Sequence, residues 1–336
     1  MRTKAVSQKP TARANINFTS LGGTSPHDRD DLAYQEYRRR WTEYPAAFHT
    51  ADFPIHLDLE ASSRCNLRCT FCDKLPLLAP ENLGDMDFGL FTRVLDEAGT
   101  AGLASLKLSY RGEPLLHPRL ADMVAYAKTK GVLDVYFNTN AMLLTEAKVR
   151  ALIEAGLDRV SVSVEGTDPV AFERERVGAR FDTIVRRLDT LLTLRERLGV
   201  VHPRIRVQTV RLPGLDLDAY ARFWSGHADE TAAVDFKAVE DRRLALADPG
   251  FACPQLWQRM TVEWNGTVLA CNNDDFRRLS PGNAALRSIR DCWHDPAVVH
   301  ARDLHRQGRS HEVTACDGCP WRTAQILKTR QPGQVQ

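Results

Sequence analysis

Short apolar runs alternate with amphipathic stretches along most of the chain. Ile55 to Glu60 alternates apolar and polar residues, which is the period of a strand. Phe88 to Gly99 then reads as a helix and Ser105 to Tyr110 as a strand. His117 to Lys130 is helical and Leu133 to Asn138 a strand. Thr145 to Ala155 is helical, closed by Gly156, and Arg159 to Val164 a strand. Phe181 to Leu198 predicts a long amphipathic helix with Ile184, Val185, Leu188, Leu191, Leu192 and Leu198 on one face. Ile205 to Val210 is a strand, Leu217 to Ser225 a helix, and Val234 to Val239 a strand.

Six strands alternating with helices predict parallel βα units. Six units fall short of the eight that close a full barrel. The predicted fold class is therefore α/β, a partial (β/α)6 TIM-type barrel over residues 53–245. In such folds the loops after the strands face one mouth. Ahead of the barrel, residues 1–29 are polar and carry Pro10, Gly22, Gly23 and Pro26, which predicts a flexible arm. Residues 30–52 form a lead-in, with a helix from Asp30 to Trp41 that packs on the main domain. Behind the barrel, Thr261 to Trp264 and Thr267 to Ala270 flank Asn265-Gly266, the strongest tight-turn dipeptide, and predict a hairpin. The hairpin belongs to a small second unit over 246–325, followed by a tail, 326–336.

Composition narrows the function classes. The formal net charge of +2 over 336 residues gives no electrostatic argument for nucleic acid or a membrane surface. No run approaches the length of a membrane-spanning helix, and Met1 to Thr19 lacks the apolar core of a signal peptide. Eight cysteines in so long a chain suit a reducing cytosol and metal ligation better than a disulfide framework, so a cytoplasmic location is expected.

The candidate chemistry starts in the loop after the first strand. Cys65, Cys69 and Cys72 place three thiolates at the spacing C-x3-C-x2-C, with no local fourth ligand. Tetrahedral zinc wants four closed ligands. A cubane held by three cysteines instead leaves one iron open for a small molecule. A zinc staple and buried free thiols are the plainer readings of the same three residues.

With Phe71 just before its last cysteine, the loop resembles the signature of the radical S-adenosylmethionine (SAM) enzymes. The resemblance covers roughly residues 53 to 323. It implies a partial barrel whose [4Fe–4S] cluster, on Cys65, Cys69 and Cys72, is chelated by the amino and carboxylate groups of SAM. One electron from that cluster would cleave SAM, and the 5′-deoxyadenosyl radical would take a hydrogen atom from the substrate. Gly112-Glu113-Pro114, after the second strand, resembles the family's Gly-Gly-Glu-Pro turn, with Arg111 in place of the first glycine. Acceptors there would receive the ammonium of SAM, which has donors only. The resemblance further assigns Asn140 and Ser163 to the ribose or carboxylate of SAM. Arg176 would form a fork for the carboxylate, and Phe71 a packing surface. Gln208, near the end of the fifth strand, faces the same mouth.

Cys253, Cys271, Cys316 and Cys319 supply four more thiolates, enough to saturate one cubane, although zinc would suit them too. Their layout resembles the twitch domain, a shortened SPASM domain carrying one auxiliary [4Fe–4S] cluster. Among twitch enzymes it is similar to aminocyclitol dehydrogenases of sugar and aminoglycoside pathways, that of butirosin biosynthesis among them. The resemblance implies oxidation of a carbinol carbon of a carbohydrate or aminocyclitol to a ketone. The auxiliary cluster would accept one electron, and a flavodoxin or ferredoxin would reduce the SAM cluster. Asp274 and Asp275, just past Cys271, suit a solvated loop better than a place facing the substrate. Cys292 is the cysteine left over. With Ile289 and Trp293 it shares one helical face, which favours burial. In a sugar epimerase it would instead be the hydrogen donor. The pattern is also compatible with a peptide-modifying SPASM enzyme or, outside catalysis, with a zinc-binding structural module.

Overall fold

The computed structural model describes residues 11–12, 18–25, 27–72, 74, 79–235 and 248–330. Its strands are β1 (Thr11–Ala12), β2 (Phe18–Gly23), β3 (His56–Leu59), β4 (Ser105–Lys107), β5 (Asp134–Thr139), β6 (Arg159–Ser163), β7 (Arg204–Arg211), β8 (Glu230–Asp235), β9 (Phe251–Ala252), β10 (Arg259–Val262), β11 (Thr267–Leu269) and β12 (Gly282–Asn283). The helices are α1 (Leu32–Ala46), α2 (Phe88–Thr100), α3 (Leu120–Thr129), α4 (Glu146–Glu154), α5 (Pro169–Glu175), α6 (Phe181–Arg197), α7 (Leu217–Trp224), α8 (Ile289–Trp293), α9 (Pro296–Arg306) and α10 (Pro320–Arg330). Side-chain caps fix several starts, such as Asp87 on the Leu90 amide and Thr145 on the Lys148 amide.

The ten-stranded sheet runs β12-β11-β10-β3-β4-β5-β6-β7-β8-β2. Strands β3 to β8 pair in parallel and form the expected six-stranded open barrel. Alternation along each strand sorts the side chains. Leu57, Leu106, Val135, Phe137, Val160, Val162, Ile205 and Val207 join the buried core that includes Phe91, Leu95, Ile184 and Leu188 of the helices. The alternate positions, among them Lys107, Tyr136, Asn138, Arg159, Ser161, Arg206 and Gln208, line the barrel interior. The interior of this barrel is thus polar, and the apolar core lies between sheet and helices.

Four expectations change. Residues 18–23, read as part of a flexible arm, form an edge strand antiparallel to β8, and residues 11–12 pair with β9. The glycines that suggested flexibility sit at the end of β2, where a Cβ on Gly23 would meet the Asp229 carbonyl oxygen at 2.1 Å. Among the described residues the last barrel strand lies at Glu230–Asp235 and starts ahead of the expected 234–239, because its register is set by β7 and not by its own apolar content; residues 236–247 lie outside the described set. The hairpin does not stand apart. Its first strand, β10, pairs in parallel with β3, and Gly266 turns the chain at φ 88°. Finally, residues 326–330, read as tail, continue α10, where Ile326 is buried. At finer scale, α6 ends at Arg197, so Leu198 is a cap residue, 41% exposed, and not part of the apolar face. Among the described residues no helix is long and apolar enough to cross a membrane.

Candidate functional site

The loop after β3 lies against the turn after β4, and Gly112 shows why. A Cβ there would lie 2.4 Å from the Ser62 carbonyl oxygen and 2.5 Å from that of Arg64. The Glu113 amide donates to the Arg64 carbonyl at 2.6 Å. On its other side the cysteine loop is held by backbone bonds from Arg68 to Val177 and from Thr70 to Glu175, both 2.9 Å. These contacts frame a cavity of about 400 Å³ whose wall includes Cys65, Cys69, Cys72, Phe71, Gly112, Glu113, Asn140, Ser163 and Arg176. The structure therefore gathers nearly all the residues expected to hold SAM.

Glu113 is buried, and its carboxylate accepts from the Thr139 hydroxyl at 2.7 Å, the Asn140 amide at 2.8 Å and the Leu115 amide at 3.1 Å. Burial raises its pKa above the usual carboxylate range, outweighing those hydrogen bonds. Asn140 in turn donates to the Asn66 side chain at 2.9 Å, tying the end of β5 to the cysteine loop. Arg176 already has a carboxylate. Its fork grips Glu165, with Nη2 to Oε1 at 2.9 Å, while the guanidinium lies 5.5 Å from the Phe71 ring centroid and Nη1 4.0 Å from Cys69 Sγ. Burial opposes its charge, but Glu165 prevails and the pKa is raised. Arg176 is thus a fixed positive wall beside the sulfurs, and its fork is not open for a carboxylate of SAM.

Three expected residues lie elsewhere. Pro114 is buried and opens a short helical turn behind Glu113. Gln208 lines a second cavity, deeper in the barrel. Cys292 is buried in the apolar core on α8, behind the sheet, with Ile289 and Trp293. The departure at Arg111 also has its explanation. The guanidinium is buried and bridges Glu60, with Nε to Oε1 and Nη2 to Oε2 both at 3.0 Å, and Glu263 at 2.7 Å. It thereby clamps the end of β3 to the turn of the hairpin.

In the second cysteine set Cys253 is buried, and Cys271, Cys316 and Cys319 are half-buried. Burial, and then the neighbouring sulfurs, push the Cys253 and Cys316 thiols well above their usual range, and burial takes Cys271 up to about 12. Thiolates gathered in such surroundings call for a bound cation. Their surroundings are donors: the Asn273 amide faces Cys271 Sγ at 3.3 Å, and His305 Nε2 lies 3.4 Å from Cys316 Sγ. His305 Nδ1 accepts from the Cys253 amide at 3.0 Å, which fixes the proton on Nε2 and makes the ring a donor to sulfur.

Both sets fit [4Fe–4S] clusters. All of these cysteines are free thiols; Cys65, Cys69 and Cys72 line one cavity, and Cys271, Cys316 and Cys319 lie near enough to Cys253 to help raise its pKa. Among the described residues no three His, Cys, Asp or Glu side chains surround a single-ion position. A cubane differs, because each thiolate binds a separate iron and the ligands stand further apart. Single-ion zinc is the poorer fit.

Sequence reasoning missed the polar wall opposite the cysteines. Lys74 and Tyr110 line the cavity, and both contact Asp275. Asp274 and Asp275, expected in a solvated loop, are buried, and Asp274 accepts the Arg278 and Leu279 amides at 3.0 and 2.7 Å. The deeper cavity's arginines were also missed, although Arg159-Val160-Ser161-Val162-Ser163 displays an unbroken polar alternate face.

The chain is similar to known proteins over both units. The family model described as "Radical SAM superfamily" matches residues 59–219, and that of the "Iron-sulfur cluster-binding domain", SPASM, matches 253–320. The tungsten-containing aldehyde ferredoxin oxidoreductase cofactor-modifying protein of Pyrococcus furiosus is 36% identical over 46% of this chain and 43% of its own length. The chain spans about half the length of the first curated relatives it matches, 43% and 53%. The PqqA peptide cyclase of Ruegeria pomeroyi is 25% identical over 80% of both chains. Among solved structures, BtrN in complex with AdoMet and 2-DOIA aligns with TM-score 0.53 at 20% identity, covering 79% of this chain and 92% of that one. Streptococcus suis SuiB bound to precursor peptide SuiA aligns with TM-score 0.56 at 15% identity, covering 86% and 78%. At these identities the structures establish the fold. The two matched domains imply SAM and [4Fe–4S] clusters as the cofactors. The chain thus carries a radical SAM domain followed by a C-terminal SPASM iron–sulfur domain.

Proposed function

We propose that the protein oxidises a carbinol carbon of a carbohydrate or aminocyclitol to a ketone, with removal of two electrons. One observation carries the reading. Asn272 and Asn273, next to Cys271, help line the cavity of the first cysteine set. Pro254, Gln255 and Trp321, beside Cys253 and Cys319, help line the adjoining barrel interior. A substrate in that space lies between the two cysteine sets. When bound, SAM and its cluster supply a hydrogen-abstracting radical, and the auxiliary cluster an acceptor for the second electron.

The chain's own residues do the rest. Cys65, Cys69 and Cys72 hold the SAM cluster, and Cys253, Cys271, Cys316 and Cys319 the auxiliary one. Gly112 brings the turn up to the cysteine loop, Glu113 presents an acceptor for the ammonium, and Asn140 and Ser163 offer polar contacts to SAM. The hydroxyl proton leaves to solvent or to a polar group of the wall. Reduction from outside comes from a flavodoxin or ferredoxin. Burial of Cys292 outside both cavities gives an epimerase with that donor no support. Similarity to the PqqA peptide cyclase favours a peptide substrate as the second reading. Against it, the barrel interior, about 520 Å³ and roofed by α1, is sized for a small molecule.

Anaerobic reconstitution tests the proposal. Two cubanes correspond to about eight irons per chain. With SAM and reductant, 5′-deoxyadenosine should form in step with a product lighter by two hydrogens. A Cys316→Ala/Cys319→Ala variant should still cleave SAM but make no ketone. Unchanged product mass with solvent deuterium uptake would replace oxidation by epimerisation.

A further inference from the structure

The barrel interior is a cavity of about 520 Å³ that meets the SAM-side cavity at Lys107, Asn138 and Val234. Among the described residues five cations line it, Arg38, Lys107, Arg159, Arg206 and Arg259, and no Asp or Glu does. The carboxylates stand behind. Asp134 holds Arg159 at 2.8 Å, Glu230 holds Arg206 at 2.5 Å, and Asp58 is shared between Arg259 at 3.2 Å and Lys107 at 3.6 Å. Among the described residues three carboxylates thus face five cations.

Among the described residues no carboxylate pairs with Arg38, whose guanidinium lies 5.6 Å from the ring centroids of both Tyr37 and Trp41. Two buried guanidinium nitrogens, Arg206 Nη2 and Arg259 Nε, have no hydrogen-bond partner. A buried charged donor left without an acceptor is costly, and an anion placed there relieves it. His27 shows how closely the guanidiniums gather: its pKa is lowered to about 2, by burial first and then by Arg159, Arg38 and Arg206. The rest of the wall, including Ser161, Gln208, Gln255 and Gln258, offers donors and acceptors suited to hydroxyl groups.

We propose that this interior is the substrate site and that its ligand is a carbohydrate carrying an acidic group, a phosphate monoester or a carboxylate, held by Arg38 and Arg206. A protonated aminocyclitol is repelled by the same charges. The proposal deepens the oxidation reading and rests on it only in calling the ligand a substrate, so binding is measured separately from turnover.

The test uses reconstituted, SAM-bound protein under anaerobic conditions, titrated calorimetrically with glucose 6-phosphate, glucuronate, glucose and 2-deoxystreptamine. At least one acidic sugar should bind tenfold or more tighter than glucose, and 2-deoxystreptamine least. The phosphate and carboxylate arms identify which anion the site prefers. Arg38→Gln should weaken the acidic sugar by about ten- to a hundredfold, the worth of one charge-assisted contact. It should weaken glucose far less than the acidic sugar, which assigns the loss to the acidic group. Arg206→Gln/Glu230→Gln, which removes a buried pair together, should give the same loss. Equal binding of all four probes, or no effect of Arg38→Gln, would overturn the site. If an acidic sugar binds with this preference but is never oxidised, the site stands and the oxidation reading falls. If a sugar is oxidised without any charge preference, the reverse holds.

Discussion

At the scale of single residues, the site depends on close approach and on hydrogen bonds to sulfur. Gly112 packs its α-carbon against the Ser62–Arg64 backbone, which has nowhere to move because Ser63 is itself tied to Gly84 and Asn82. Gly112→Ala should therefore push the cysteine loop away, at a cost of about 1–3 kcal/mol typical of overpacking. Anaerobic iron counting should then find the SAM-side cluster depleted while the auxiliary cluster stays. Retention of full iron and SAM affinity would show that the turn yields. His305 acts on the other set. Its Nε2 proton points at Cys316 Sγ, 3.4 Å away, and a hydrogen bond to a ligand sulfur stabilises the reduced, more negative cluster. His305→Leu should shift the auxiliary potential negative in an EPR-monitored titration. His305→Gln, which keeps a donor, should restore part of the shift.

At the scale of elements, the hairpin is fastened to the barrel by charge as well as by strand pairing. Arg111 spans Glu60 and Glu263, and all three are buried. Arg111→Gln leaves Glu60 without its cation and Glu263 with Arg277 alone, so stability should fall by about 3–5 kcal/mol, as when one member of a buried ionic group is removed; denaturant titration reads it. The strands make a second prediction, in pH. Burial works to raise the Asp134 pKa, but Arg159 outweighs it and the carboxyl is held below the usual range. A depressed native pKa contributes stability that is full above the unfolded value, about 3.9, and lost as pH falls through the native one. Acid unfolding should thus steepen below about pH 4, and Asp134→Asn, less stable at neutral pH, should show a shallower acid limb. The element pattern itself was legible from the sequence, because five of the six barrel strands carry their own apolar alternation. Strand β8 was displaced because Glu230-Thr231-Ala232-Ala233 has little apolar bulk, and its neighbour sets its register. The cysteines were legible because their spacing is local. Arg206 and Arg259 were not, since only the curling of the sheet brings them to one cavity.

For the molecule as a whole, sheet continuity decides how the two units behave. The small unit contributes β10 to the free edge of β3, and Met260, Val262, Val268, Ile289 and Trp293 belong to the same buried core as Leu57 and Leu59. The barrel without that unit would bare the β3 edge, which is a template for aggregation. It would also uncover the Glu60–Arg111 pair and expose apolar surface worth about 1.5–3 kcal/mol for each large side chain uncovered. Against a typical total stability of about 5–15 kcal/mol, losses at several such positions exceed what the remaining barrel can carry. The matched families divide the chain into two domains, but the shared sheet and core predict one cooperative transition. Calorimetry of the full chain should give a single transition with matching calorimetric and van't Hoff enthalpies. A fragment ending at residue 245 should aggregate and retain no SAM-side cluster, although it keeps Cys65, Cys69 and Cys72. A monomeric fragment that kept native helicity and about half of the iron on reconstitution would show instead that the barrel stands alone, with the hairpin resting on its edge.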